Sequence, residues 1–268
     1  MPTFETPDPI TASVEVVSGA VHVTATDRQD TVVQIGPRDP NRASDIRIAE
    51  AARVDFTNGT LTVSAGRRFI SLGRGGAVII DIELPSRSRL QVSSASANLH
   101  ADGELADCRF STASGDATVQ TVAGNIKADS ASGGVAVENV EGAATISTAS
   151  GDATVAELTG DVKFRAASGS LSVTKLRGMV NAQTASGDIT VADAITGGVS
   201  VQTGSGDIEV GVAEGTAARL DLKTHSGKVR NTLQPADGPA DGDETLTVNV
   251  TTGSGDIAVQ RATAGVAG

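Results

Sequence analysis

The sequence predicts an all-β protein, a parallel β-helix (β-solenoid) with about 18 residues per coil behind an N-terminal β cap. Three observations carry that expectation. Ser96, Ser114, Ser132, Ser150, Ser168 and Ser186 recur at a spacing of 18, a register that only a unit stacked on copies of itself enforces. Apolar residues fall into fixed columns with a period of two inside each unit. Glycines 18 apart, Gly124, Gly142, Gly160 and Gly178, stand where the chain must turn a corner.

At the N-terminus, Ser18-Gly19-Ala20-Val21-His22-Val23 follows the pattern of Ser132-Gly133-Gly134-Val135-Ala136-Val137, so a degenerate coil is expected to begin there. A short helix fits Asp45 to Arg53. Apolar alternation on both sides of Asn58-Gly59, from Val54 to Val63, predicts a two-residue hairpin. Residues 1–90 are therefore expected to cap the open edge of the solenoid, 91–262 to form its repeats, and 263–268 to be a flexible tail.

Within the repeats, one column reads Leu99, Ala117, Val135, Ala153, Leu171, Ile189, and a second, two positions on, reads Ala101, Val119, Val137, Val155, Val173, Val191. That is the signature of a strand with one buried face. The other half of each unit repeats it with Cys108, Ile126, Ala144, Val162, Val180 and with Phe110, Ala128, Ile146, Phe164, Ala182. Each unit is thus expected to carry at least two short inward-facing strands. The repeated serines read as corner residues whose hydroxyls bond the backbone. Gln234 to Glu244, rich in Pro, Asp and Gly, reads as an exposed loop inserted into one coil, after which Gly253 to Val259 is expected to close the stack.

Composition narrows the function. Five Phe with no Trp or Tyr, and a net charge of -11 over 268 residues, remove the aromatic platforms and the basic face that nucleic-acid recognition needs. Cys108 is the only cysteine, so no intramolecular disulfide or thiolate cluster forms, and its inward column makes it a small buried hydrophobe. Met1 to Ile10 lacks the basic and apolar regions of a secretory signal, and no apolar run reaches 18 residues; the expectation is a cytoplasmic protein.

Two features invite a binding role. Arg67, Arg68 and Arg74 flank Phe69, Ile70 and Leu72, making a basic, apolar loop on an acidic chain. It is the candidate partner-binding loop, with peripheral contact to an anionic lipid surface as its alternative. The run Gly73 to Gly76 lacks the lysine and spacing of a nucleotide-binding loop. Asp116, Asp152, Asp188, Asp207 and Asp256, each following a Ser-Gly step, align along one corner. Gly134 and Ser170 interrupt them, and Lys228 is expected to separate Asp207 from Asp256, which reads as avoidance of stacked like charge. His22, His100 and His225 fall in unrelated parts of the repeat scheme, so no catalytic grouping, metal site or cofactor site is assigned.

With Thr-Ala-Ser-Gly-Asp-Ala-Thr-Val at 112–119 and 148–155, and Thr-Ala-Ser-Gly-Asp-Ile-Thr-Val at 184–191, the chain resembles the bacterial DUF4097 or Toastrack family of candidate adhesins over nearly its full length. The opening Phe-Glu-Thr-Pro-Asp-Pro-Ile and the stretch from Gly73 through Val78 to Pro85 resemble its standalone actinobacterial branch. The resemblance implies a right-handed solenoid without established enzymatic activity, linked in membrane-fused relatives to cell-envelope stress or surface interaction. The expected function is a non-enzymatic scaffold that binds a protein partner, with self-association open. The alternatives are a carbohydrate-active or metal-dependent β-helix enzyme and an adhesin-like surface protein.

Overall fold

The computed structural model describes residues 2–66, 75–234, 238–239 and 243–262. Among them are twenty strands and a single helix, an all-β fold of the β-solenoid type. Two compact units, Met1–Val137 and Glu138–Gly268, divide the chain inside the repeats, whereas the sequence changes texture near residue 90.

The first unit holds β1 (Thr3–Glu5), β2 (Thr11–Thr26), β3 (Asp30–Pro37), α1 (Ala43–Glu50), β4 (Arg53–Thr57), β5 (Thr60–Ala65), β6 (Val78–Pro85), β7 (Arg89–Leu105), β8 (Asp107–Thr112), β9 (Ala117–Val122) and β10 (Ile126–Ser130). β2 is itself a rung. It runs parallel to β7 with Ser18 opposite Ser96 and Val21 opposite Leu99, as the shared Ser-Gly pattern implies. Its other edge pairs in parallel with β5 and β6, so the first rung in sequence is an inner one. The outer rung is finished by antiparallel strands, β4 on β5 and β3 on β6, with β1 on β3. Asn58 and Gly59, at φ 51° and 73°, form the expected hairpin turn. The helix ends at Glu50, earlier than the sequence suggests, because Arg53 already begins β4.

β11 (Val135–Val140) runs across the division. The second unit holds β12 (Ala144–Thr148), β13 (Ala153–Ser168), β14 (Leu171–Ser186), β15 (Ile189–Ser205), β16 (Ile208–Val212), β17 (Thr216–Ser226), β18 (Val229–Asn231), β19 (Glu244–Ser254) and β20 (Ile257–Arg261). β13 and β14 pair in parallel throughout, from Ala153 opposite Leu171 to Ser168 opposite Ser186. These strands pass through the corner at Gly160 and Gly178 unbroken, where two short strands per unit were expected. A bulge between Leu176 and Arg177 absorbs one residue of β15 and sets Ser186 opposite Ser205, which explains where the serine spacing loosens.

The last rungs are out of chain order. β15 and β16 pair with β19 and β20, and these pair in turn with β17 and β18. Gly253 to Val259 therefore does not close the stack; Thr216–Ser226 lies outside it. Burial follows that order: Leu246, Val248 and Val250 of β19 are buried, whereas Ala218, Leu220 and Leu222 on the inward face of β17 are only half-buried.

The core is a thin column of small aliphatics in which large side chains meet small ones on the next rung. Phe164 faces Ala182, Ala153 faces Leu171, and Phe110 faces Ala128. The glycine positions of the corners leave no room for a Cβ. At Gly178, φ is 143° and a Cβ would lie 1.9 Å from the Gly160 carbonyl oxygen. Replacing Gly178 with Ala is expected to cost about 3 kcal/mol, from left-handed strain plus the clash. The Gly36→Ala change, where a Cβ meets nothing within 4 Å, is expected to stay within about 0.5 kcal/mol. Urea unfolding of both variants checks this, and equal midpoints would refute it. Cys108 is 2% exposed, and burial pushes its thiol up to about 12. A thiol reagent is therefore expected to label it only after unfolding; stoichiometric labelling of the native chain would contradict this packing.

Candidate functional site

The basic loop singled out in the sequence, with Arg67, Arg68, Phe69, Ile70, Leu72 and Arg74, lies outside the described residues. Both of its anchors are described, Gly66 beside Val17 of β2 and Ile48 of α1, Gly76 against α1. A Cβ at Gly66 would stand 3.6 Å from Ile48 Cγ2, and one at Gly76 would stand 2.9 Å from Ile48 Cδ1 and from the Ser44 backbone. Ile48 is buried beneath them.

Beside these anchors is an open pocket of about 770 Å³ lined by Arg38, Arg42, Arg47, Asp39 and Asp45, with Gly75 and Gly76 as part of its wall. Arg38 is placed by its own backbone, whose N–H donates to the Ala77 carbonyl at 3.0 Å. Arg47 projects from the last turn of α1, where a cation complements the helix dipole. All three guanidinium groups belong to exposed residues.

Asp45 holds this arrangement together. It is 1% exposed, and its carboxylate accepts hydrogen bonds from the Ala77 N–H (3.2 Å), the Asp39 N–H (3.2 Å) and the Ser44 hydroxyl (3.1 Å), with Arg42 Nε at 3.8 Å. One buried side chain therefore ties the end of β3, the start of α1 and the returning loop strand. Burial pushes its carboxyl up, but the two backbone N–H groups, Ser44 and Arg42 outweigh that and leave it below the usual carboxylate range. Asp39 is also engaged, accepting from the Asn41 N–H at 2.9 Å. Among the described residues Arg38 and Arg47 have no ion-pair partner. Chemically, the pocket presents guanidinium forks to an anionic group, a carboxylate or a phosphate.

Sequence reasoning did not find Arg38, Arg42 or Arg47. They are scattered over ten positions, and only the fold converges them; Ser44-Asp45 at the start of a short helical pattern was the available signal.

The other singled-out residues have structural duties. At the corners, each side chain accepts a hydrogen bond from the matching backbone N–H of the neighbouring rung. Asp116 accepts from Gly134, Asp152 from Ser170, Asp188 from Asp207, Asp207 from Asp256 and Asp256 from Lys228. Lys228 does not separate Asp207 from Asp256. Because the C-terminal rung is inserted, Asp188, Asp207 and Asp256 occupy consecutive rungs, and the accepted N–H bonds offset the stacked charge.

The corner hydroxyl role falls chiefly to the residue two before each serine. Thr112, Ser130 and Thr148 accept from the N–H of Gly115, Gly133 and Gly151 at 2.7–2.9 Å and are nearly buried. Ser132 shows the expected bond, to the Ala113 carbonyl.

His22 and His100, expected to be unrelated, are rung partners on β2 and β7. They pair with Asp81 at 2.9 Å and Asp102 at 3.2 Å, respectively, on the surface. Among the described residues no three His, Cys, Asp or Glu side chains are grouped to hold a metal ion. No helix among them is long and apolar enough to cross a membrane.

Removing the charge of Asp45 tests its tie. In the Asp45→Asn variant an amide replaces an acceptor of two backbone N–H bonds, at an expected cost of about 1–3 kcal/mol at neutral pH. The folded-state carboxyl titrates below its unfolded value of about 3.9. Its contribution is therefore complete above that value and vanishes as pH falls through the folded-state one. The melting-temperature gap between wild type and variant is expected to narrow as pH falls below about 5; a constant gap would refute the tie.

No curated protein matches the chain. A candidate adhesin from Bacteroides fragilis is 12% identical, covering 97% of this chain and 95% of its own, with a TM-score of 0.43. A candidate lipid-binding protein from Parabacteroides distasonis is 13% identical, covering 98% and 96%, at 0.40. A candidate adhesin from the same species is 11% identical, covering 96% and 95%, at 0.39. The sequence pattern that defines Toastrack DUF4097 matches residues 11–260, and the chain belongs to that family.

Proposed function

We propose that this chain is a non-enzymatic interaction protein whose arginine-lined pocket in the first unit, together with the adjoining loop, docks an acidic surface of a protein partner. The observation that carries the reading is the pair Arg38 and Arg47, exposed at a concave site and without an ion-pair partner among the described residues, on a chain of net charge -11. Guanidinium groups that serve no internal carboxylate are available to an external one. The Asp45 tie supports it, because a buried carboxylate that accepts from two separate segments fixes the pocket wall before any partner arrives. The reading takes the chain as the right-handed solenoid of about 18 residues per coil that its family resemblance implies, with the rungs as a rigid frame for this end.

The test is quantitative recovery of bound proteins from native lysate by wild type, by an Arg38→Ala/Arg47→Ala variant, and by an Arg67→Ala/Arg68→Ala/Arg74→Ala variant. The same acidic species is expected to be lost from both variants, and from wild type as salt rises from about 0.05 to about 0.5 M, since exposed charges are screened over that range. Unchanged recovery by the pocket variant, with its melting temperature intact, would sink the proposal.

A further inference from the structure

The two units finish their outer rungs differently. In the first, the outer rung formed by β5 and β6 is covered by antiparallel strands of the same chain, β4 and β3. In the second, β17 pairs with β19 and β18 with β20 on one side only; among the described residues no strand pairs with the other side of either.

The core shows the consequence. Val248 and Val250 on β19 are 0% and 1% exposed, while Leu220 and Leu222, their partners on β17, are only half-buried. Val229 of β18 is 46% exposed beside a fully buried Ile257. An unpaired edge with half-covered apolar residues is a template for another strand.

The β17 sequence is complementary to itself. Arg219, Asp221, Lys223 and His225 alternate on the outward face, with Lys223 Nζ 2.9 Å from Asp221 Oδ2. An antiparallel pair of β17 strands with its two-fold axis at Leu222 sets Leu222 against Leu222 and Leu220 against Thr224 on the inward face. Outward, it sets Asp221 against Lys223 twice and Arg219 against His225. An axis at Asp221 would oppose Asp221 to itself and Arg219 to Lys223, and one at Lys223 would oppose the two lysines; both are like-charge pairings. An axis at Leu220 would set Arg219 against Asp221 but would carry Lys223 and His225 to Ala217 and Gly215, where they meet no opposite charge.

We propose that β17 docks a second copy of this chain, as an antiparallel two-fold strand pair centred on Leu222. The interface is isologous and buries the apolar edge of both copies at once. It is independent of the arginine pocket, which lies in the other unit.

Sedimentation velocity on the full chain over a dilution series tests this. Wild type is expected to be a dimer that dissociates on dilution. Asp221→Lys and Lys223→Asp each turn two attractive cross-strand pairs into repulsive ones, and each is expected to weaken dimerisation by about tenfold or more. Mixing the two variants restores opposite charge at both pairs and is expected to restore the dimer as a heterodimer; the doubly reversed variant dimerises alone. Thermal melts confirm that each variant is folded, since both side chains are exposed. A wild type that is monomeric at every concentration overturns the proposal and leaves the edge to another partner. So does a single variant that still dimerises like wild type, or a mixture that stays monomeric.

Discussion

Within each unit, a rung lies directly on its neighbour through parallel backbone hydrogen bonds, and at the corners this brings carbonyl oxygens to the place a side chain would occupy. The Gly160 oxygen lies 1.9 Å from where a Cβ of Gly178 would stand, and the Gly115 oxygen lies 1.8 Å from that of Gly133. The glycine columns follow from this contact. With corners pinned by glycine, the register between rungs cannot slip by one residue without driving a Cβ into a carbonyl, so the side chains between corners inherit fixed partners. Inward pairs such as Phe164 with Ala182 are then free to be filled by volume alone.

The same stacking leaves polar backbone groups at each corner that no strand partner satisfies. Side chains of neighbouring rungs supply the acceptors. The nearly buried hydroxyls of Thr112, Ser130 and Thr148 take the N–H three residues on, and the exposed carboxylates take the N–H one rung away. Asp107 does this at a second corner, accepting from the Asn125 N–H at 3.0 Å. That bond, with Arg89 alongside, holds its carboxyl below the usual range against the opposing effect of burial.

Features that depend on short-range repetition were legible in the sequence. The columns, the Asn58-Gly59 hairpin, the burial of Cys108 and the early rung at Ser18 all follow from patterns within a few tens of residues. Rung order was not legible. Nothing local to Gly253 to Val259 says that it slides between β16 and β18, because its Ser-Gly-Asp-Ile step fits any position in the stack and the inward faces of β17 and β19 are both apolar. That displacement misled the reading of the aspartates; His22 and His100 were missed for a separate reason, the pairing of β2 with β7 in the first unit. The arginine pocket was illegible for a related reason: Arg38, Arg42 and Arg47 share no period, and a short helix brings them to one wall.

The charge of the chain is thereby divided between two uses. Asp107, Asp116, Asp152, Asp188, Asp207 and Asp256 each accept a neighbouring rung's N–H, so part of the acidity serves the corners and says little about partners. An acidic composition of this origin is a poor guide to function. The informative charges are those without a duty in the frame. In the first unit Arg38 and Arg47 are such charges, gathered at one pocket. In the second they are the alternating charges of β17, which lie opposite the uncharged Thr247, Asn249 and Thr251 of β19 and are complementary to their own inverted copy. Both sets stand where the stacking stops, at the helix that interrupts the first unit and at the outer rung of the second.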